Sequence, residues 1–176
     1  MTHDPGGAAA AGERTGIELY LLRHADAGDP ETWTGDDDER PLTRKGRRQA
    51  KRLGTFLAEM DFKPGLVVSS PKVRARETAE LVAQPLKLKV RIDERLGSDL
   101  GLGALDSLLG DLGERRPVLV GHDPDFSALV AILCGASRVP MKKGGLARID
   151  VEPPLQPGAG VLRWLVPPDL LKREAA

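Results

Sequence analysis

Short apolar runs rich in Val, Ile and Leu alternate along this chain with stretches patterned at the helical spacing, and that alternation constrains the fold most. A parallel strand buried on both faces reads as a continuous apolar run, and parallel neighbours need a crossover between them. The runs "IELYLL" (17–22), "GLVVSS" (65–70) and "PVLVG" (117–121) are of this kind, while "LKLKVRID" (86–93) alternates like a half-exposed strand. Between them, "TRKGRRQAKRLGTFLAEM" reads as a helix with Thr43 as its N-cap and Ala50, Leu53, Leu57 and Met60 on one face. A second helix is expected from Pro71 to about Gln84, a short third at "LDSLLGDLG", and a strongly apolar fourth at "DFSALVAILCG". "GLARIDVE" and "GVLRWLVPP" follow as two strands joined by the turn-rich "PPLQPGAG". The expected fold is α/β: one domain over residues 17–170, a mostly parallel sheet with helices on both faces.

Composition removes several classes of function. The 26 basic and 26 acidic residues cancel, which argues against a general nucleic-acid binder, and aromatics at 3% leave little for a base-stacking surface. The opposite face of the first helix carries Arg44, Lys45, Arg47, Arg48, Lys51 and Arg52. Such a run reads as a solvated face, with docking of an acidic or phosphorylated partner as the alternative. Cys134 is the single cysteine, sits in an apolar helix, and reads as a small buried thiol. No run approaches the ~20 apolar residues of a membrane-spanning helix. The first sixteen residues, "MTHDPGGAAAAGERTG", offer little that could bury and lack the pattern of a secretory signal, so a floppy tail is expected. The expectation is a soluble, cytoplasmic monomer with no membrane or nucleic-acid partner.

In open α/β sheets ligands bind beyond the carboxyl ends of the strands, and three of these ends carry unusual residues. The first gives Arg23 and His24. The second gives "SSPKVRARETA", where Ser70 can cap a helix and Pro71 fits its first position. Arg74 then falls in the first helical turn, where the dipole disfavours a cation unless an anion is bound there. The third, "VLVGHDPDF", places His122 after the strand, with Asp123 and Pro124 opening the next helix.

Each feature is weak alone; together they fit phosphoryl transfer. That chemistry needs a nucleophile in line with phosphorus and fixed positive charge around the equatorial oxygens. The His24 imidazole can attack and form a covalent intermediate that water hydrolyses. Arg23 and Arg74 offer planar forks matched to phosphate oxygens, and His122, if protonated, adds a donor. No cofactor is called for, and no His, Cys or Asp cluster has the spacing of a metal site.

With those residues in hand, the sequence resembles the histidine phosphatase superfamily, and within it the short SixA-type phosphohistidine phosphatases. The pieces that carry the resemblance are "LLRHADA", "RPLTRKG", "VVSSPKVRARETA" and "VLVGHDP", in that order. It extends from about Leu19 to the "KKGGLARID" strand. The resemblance implies a phosphoglycerate mutase-like fold, a phosphorylated His24, and a phosphate pocket completed by Arg23, Arg74 and His122. Position 25 is Ala where larger relatives have Gly, a frequent exchange in the short branch.

Larger members carry a long insertion that supplies a general acid and covers the site. Here the segment between Ala83 and Arg116 is used up by a strand and a short helix. A phosphohistidine expels an imidazole, whose conjugate acid has a pKa of about 6.5, and so needs less acid help than an alkoxide. The expected substrate is therefore phosphohistidine in a signalling or phosphocarrier protein. Small phosphorylated metabolites, or phosphate binding without catalysis, are the alternatives. Asp26 is a weak candidate acid. Arg40, in "ERPLT", either lines the pocket rim or pairs with the neighbouring "DDDE".

Overall fold

The computed structural model describes residues 16–172, so the expected tail over residues 1–16 lies outside the described residues except for Gly16. Six strands form one sheet: β1 (Ile17–Arg23), β2 (Leu66–Ser69), β3 (Val90–Ile92), β4 (Pro117–Gly121), β5 (Leu146–Val151) and β6 (Val161–Val166). Their order is β3-β2-β4-β1-β5-β6. The first four are mutually parallel where they pair, and β5 and β6 run antiparallel. The crossovers are α1 (Arg44–Glu59), α2 (Val73–Leu86), α3 (Leu102–Leu112) and α4 (Asp125–Cys134). This is the expected α/β class.

Both faces of the sheet are covered, which is why β1 reads as an unbroken apolar run. Tyr20 and Leu22 point with Val67, Val118 and Val120 toward α1 and α2. Leu19 and Leu21 point with Val68 and Leu119 toward α3 and α4. Each fully buried leucine of this kind contributes about 2 kcal/mol through burial. α1 and α2 lie side by side, and a Cβ at Gly54 would stand 2.9 Å from the Leu81 carbonyl oxygen, so a small residue is needed at that crossing.

Three local expectations shift. Met60 is the C-cap of α1 rather than part of its buried face, and is 66% exposed. α2 begins at Val73 and not at Pro71, and it continues through Pro85 to Leu86. Only residues 90–92 of "LKLKVRID" pair as a strand, because Lys87 turns into the left-handed region (φ 58°) to end α2.

Candidate active site

The order of the strands brings the three expected ends together. β4 lies between β1 and β2, in a register that sets Arg23 opposite Gly121 and Ser69 opposite Val120. The backbone continues the pairing past the strand ends: His24 N–H donates to Gly121 O (3.0 Å) and Ser70 N–H to Val120 O (2.9 Å). His24, His122 and Ser70 therefore leave one sheet edge side by side.

The imidazole rings of His24 and His122 lie 5.2 Å apart, inclined at 53°. Arg23, His24, Arg40, Arg74 and His122 line a single open cleft of about 430 Å³. Lys72 and Lys143, which sequence reasoning did not single out, share its wall. Lys143 arrives because β5 is antiparallel to β1, so the loop before β5 sits over the end of β1; Gly144 N–H donates to the carbonyls of Arg23 (3.0 Å) and His24 (2.9 Å).

The hydrogen bonds fix orientation. His24 Nδ1 is 2.8 Å from the Ala25 carbonyl, which can only accept, so Nδ1 carries the proton and Nε2 keeps a free lone pair. Burial, reinforced by the nearby charges of His122, Arg74 and Arg23, pushes the His24 pKa down to about 3. The His122 pKa is likewise pushed down to about 3 by burial, with Arg74 and Lys72 adding to it. Both rings are neutral at neutral pH, so the protonated donor considered for His122 is replaced by a neutral ring. His122 Nε2 lies 2.7 Å from Ser70 Oγ. Ser70 does not cap α2 as expected; its hydroxyl accepts from Lys72 N–H (3.2 Å) and holds this imidazole.

The two guanidinium groups are anchored in parallel ways. Arg23 Nη1 donates to Met141 O (2.6 Å) and sits 3.2 Å from Asp123 Oδ2. Arg74 Nη1 and Nη2 donate to Asp37 O (2.6 Å) and Asp37 Oδ2 (3.1 Å). Arg23 is held through Nη1 alone and Arg74 through both terminal nitrogens, and in each case Nε is left over. Among the described residues, the buried side-chain nitrogens and oxygens without a partner are Arg23 Nε, Arg74 Nε and His122 Nδ1. A buried polar nitrogen left unpaired costs about 1–3 kcal/mol, so three on residues lining one cleft call for a partner there.

Asp37, another residue missed from sequence, is drawn below its usual carboxylate range by the Arg40 hydrogen bond (2.8 Å), with the Arg74 charge adding to this. Arg40 thus meets both expectations, lining the cleft and pairing with the acidic segment. Asp26 does not line the cleft: its Oδ2 accepts from Thr43 Oγ1 (2.6 Å) at the start of α1, and its Oδ1 lies 3.9 Å from Lys143 Nζ. No group of three or more His, Cys, Asp or Glu among the described residues has the arrangement of a metal site, and no helix there is long and apolar enough to cross a membrane.

Comparison with known proteins adds an independent line. The family model of the histidine phosphatase superfamily (branch 1) matches residues 19–119, more than half of the chain. An uncharacterised protein of Picosynechococcus is 35% identical over 138 residues, covering 74% of this chain and 82% of that one. The phosphohistidine phosphatase SixA of Escherichia coli is 27% identical over 166 residues, covering 91% of this chain and 99% of its own length. A solved structure of the protein histidine phosphatase SixA complexed with tungstate superposes with a TM-score of 0.77 at 26% identity, covering 89% of this chain and all of that one. The chain belongs to the histidine phosphatase superfamily (branch 1), within its short SixA-type branch, and is a phosphatase.

Proposed function

We propose that this phosphatase removes phosphate from phosphohistidine on a protein, using His24 as its nucleophile. The observation that carries the reading is the set of three unpartnered buried nitrogens, Arg23 Nε, Arg74 Nε and His122 Nδ1, on residues that line one cleft with an imidazole whose free Nε2 is fixed by the Ala25 hydrogen bond. Three fixed donors around one nucleophile match the equatorial oxygens of a phosphoryl group under in-line attack. With Ser70 donating to Nε2 of His122, its Nδ1–H is the third donor. The similarity to a structure holding tungstate, a tetrahedral oxyanion, supports the same use of the cleft.

In the first step His24 Nε2 bonds to phosphorus while the P–N bond to the substrate imidazole breaks. That imidazole, protonated on its other nitrogen, departs neutral. In the second step water attacks the phospho-His24 phosphorus, and orthophosphate and neutral His24 are regenerated. The low basicity of His24 keeps its lone pair available well below neutral pH.

The carboxylates of the cleft favour a leaving group that needs no acid. Asp123 is tied to Arg23 and Ser127, and Asp125 to Leu100 N–H, while Asp99 is exposed to solvent on the rim. An open cleft also admits a side chain carried on another protein's surface. The test compares turnover of a histidine-phosphorylated protein with that of sugar phosphates, and traps the enzyme for an acid-labile, base-stable phosphate on His24. Preference for sugar phosphates, or no trapped phosphate, overturns the reading. Asp99→Asn is expected to leave phosphohistidine turnover within about 2-fold, because proton donation to the departing imidazole is not limiting.

A further inference from the structure

We propose that the outer face of α1 is a docking surface for the acidic flank of the phosphoprotein substrate; this rests on the phosphohistidine-protein reading above. Arg44, Lys45, Arg48, Lys51 and Arg52 are all exposed, and their side chains make no hydrogen bond or ion pair among the described residues. Arg76, Lys87, Lys89, Arg91 and Arg138 also lack a side-chain partner among the described residues, but none of them lies on α1, where the unpaired cations share one face. Arg47, on the flank of the same helix, pairs with Glu77 (3.0 Å), and Arg95, Arg116, Arg148 and Arg163 each pair with a carboxylate. In a chain whose charges sum to zero, five cations along one helical stripe have no partner among the described residues.

That stripe works against helix stability. Like charges three or four residues apart repel by about 0.2–0.5 kcal/mol per pair. The first turn of α1 contains no acid, so Arg44 and Lys45 also oppose the positive end of the helix dipole. An anionic partner reverses the sign of both effects. Residues 44–52 span about 12 Å along the helix axis, the scale of a patch within one standard interface.

The start of α1 is joined to the segment that follows His24. Thr43 N–H donates to Asp26 O (2.9 Å), and Gln49 Oε1 accepts from Asp26 N–H (3.0 Å), two residues after His24. Lys45, Arg48, Gln49, Arg52 and Lys172 line a shallow cleft of about 310 Å³ on the outer side of this contact. Lys143, whose Nζ lies 3.3 Å from Gly28 O and 3.9 Å from Asp26 Oδ1, adds a further cation on the wall of the active-site cleft. A protein whose phosphohistidine enters the cleft therefore lies against α1. Net neutrality and the scarcity of aromatics favour an acidic protein over nucleic acid as the occupant.

The test uses the full chain and a quadruple charge reversal, Arg44→Glu, Lys45→Glu, Arg48→Glu and Arg52→Glu. Acids in the first turn suit the helix dipole, so the variant is expected to melt no lower than the parent. Two substrates are compared: free phosphohistidine, and an acidic phosphocarrier protein phosphorylated on histidine. The expected result is unchanged turnover of free phosphohistidine and a loss of 10-fold or more in kcat/KM for the phosphoprotein, expressed in KM. Raising salt from about 50 to about 300 mM is expected to slow the parent on the phosphoprotein and leave the variant unmoved.

Equal phosphoprotein kcat/KM in parent and variant overturns the docking surface and leaves the phosphohistidine reading intact. Equal losses on both substrates also overturn it, because the stripe then acts through the active site. A parent that hydrolyses free phosphohistidine but no phosphoprotein overturns both readings. Charge-dependent binding only to phosphatidylglycerol vesicles or duplex DNA, with phosphoprotein turnover unaffected, replaces the protein partner with another anion and overturns the proposal.

Discussion

The two ends of β1 carry charge in opposite ways. At its start, Glu18 accepts from Tyr20 (2.8 Å) and Arg116 (3.0 Å) and lies 3.4 Å from Arg148, which pairs with Asp150, itself bonded to Arg163 (2.7 Å). Apart from the buried Tyr20, these groups are partly solvated, and they are reciprocally satisfied. At its far end, Arg23, Arg74 and His122 each retain a buried nitrogen with no partner, and two imidazoles are held neutral. Both ends gather charged side chains. What separates them is burial without satisfaction, which costs stability and prepares the far end for an anion.

The largest test of this contrast is His24→Ala, expected to lower kcat on phosphohistidine by about 1,000-fold or more and to abolish the trapped phosphoenzyme. Retained activity would place the chemistry elsewhere. Next is Arg74→Lys, which keeps the charge but loses the planar fork; steady-state kinetics should show a loss of about 100-fold in kcat/KM. An effect below about 3-fold would mean that charge alone suffices there.

Acid stability probes the cost of the far end. A histidine whose folded-state pKa is depressed binds its proton first in the unfolded chain. Stability is therefore lost as pH falls below the ordinary value of 6.5, and the loss continues until about 3. Each such ring contributes up to about 1.4 kcal/mol per pH unit in that window. Urea unfolding between about pH 7 and pH 5 should show a smaller loss for His24→Gln than for the parent, and equal slopes would contradict the burial described here. The smallest effect is expected at the other end. Arg148→Ala should change stability by no more than about 1 kcal/mol and leave phosphohistidine turnover unchanged.

The same contrast explains what was legible in the sequence. The strands β1, β2 and β4 are continuous apolar runs, and residues that follow such runs are placed by topology; Arg23, His24, Arg74 and His122 were legible for that reason. The loop bearing Lys143 was not, because the direction of β5 relative to β1 is set by tertiary pairing and leaves no local signal. Asp37 was hidden inside a run of acids, any of which could have met Arg74; which one does depends on the short 3-10 turn at 37–39. Ser70 carries the residue type of a helix cap, yet its hydroxyl serves His122, a partner 52 positions away. Met60 obeys the helical period but falls where the helix has ended. Long-range partners and element boundaries are the parts that local patterning does not encode.

Gly46, in the first turn of α1, lies so close to Asp26 that a Cβ there would overlap that residue's carbonyl oxygen. The helix and the segment that follows His24 are thus in direct backbone contact, with no side chain between them to act as a cushion. Any side chain at position 46 would have to part the helix from that segment, so the seating of the His24 loop depends on a residue that has no side chain at all.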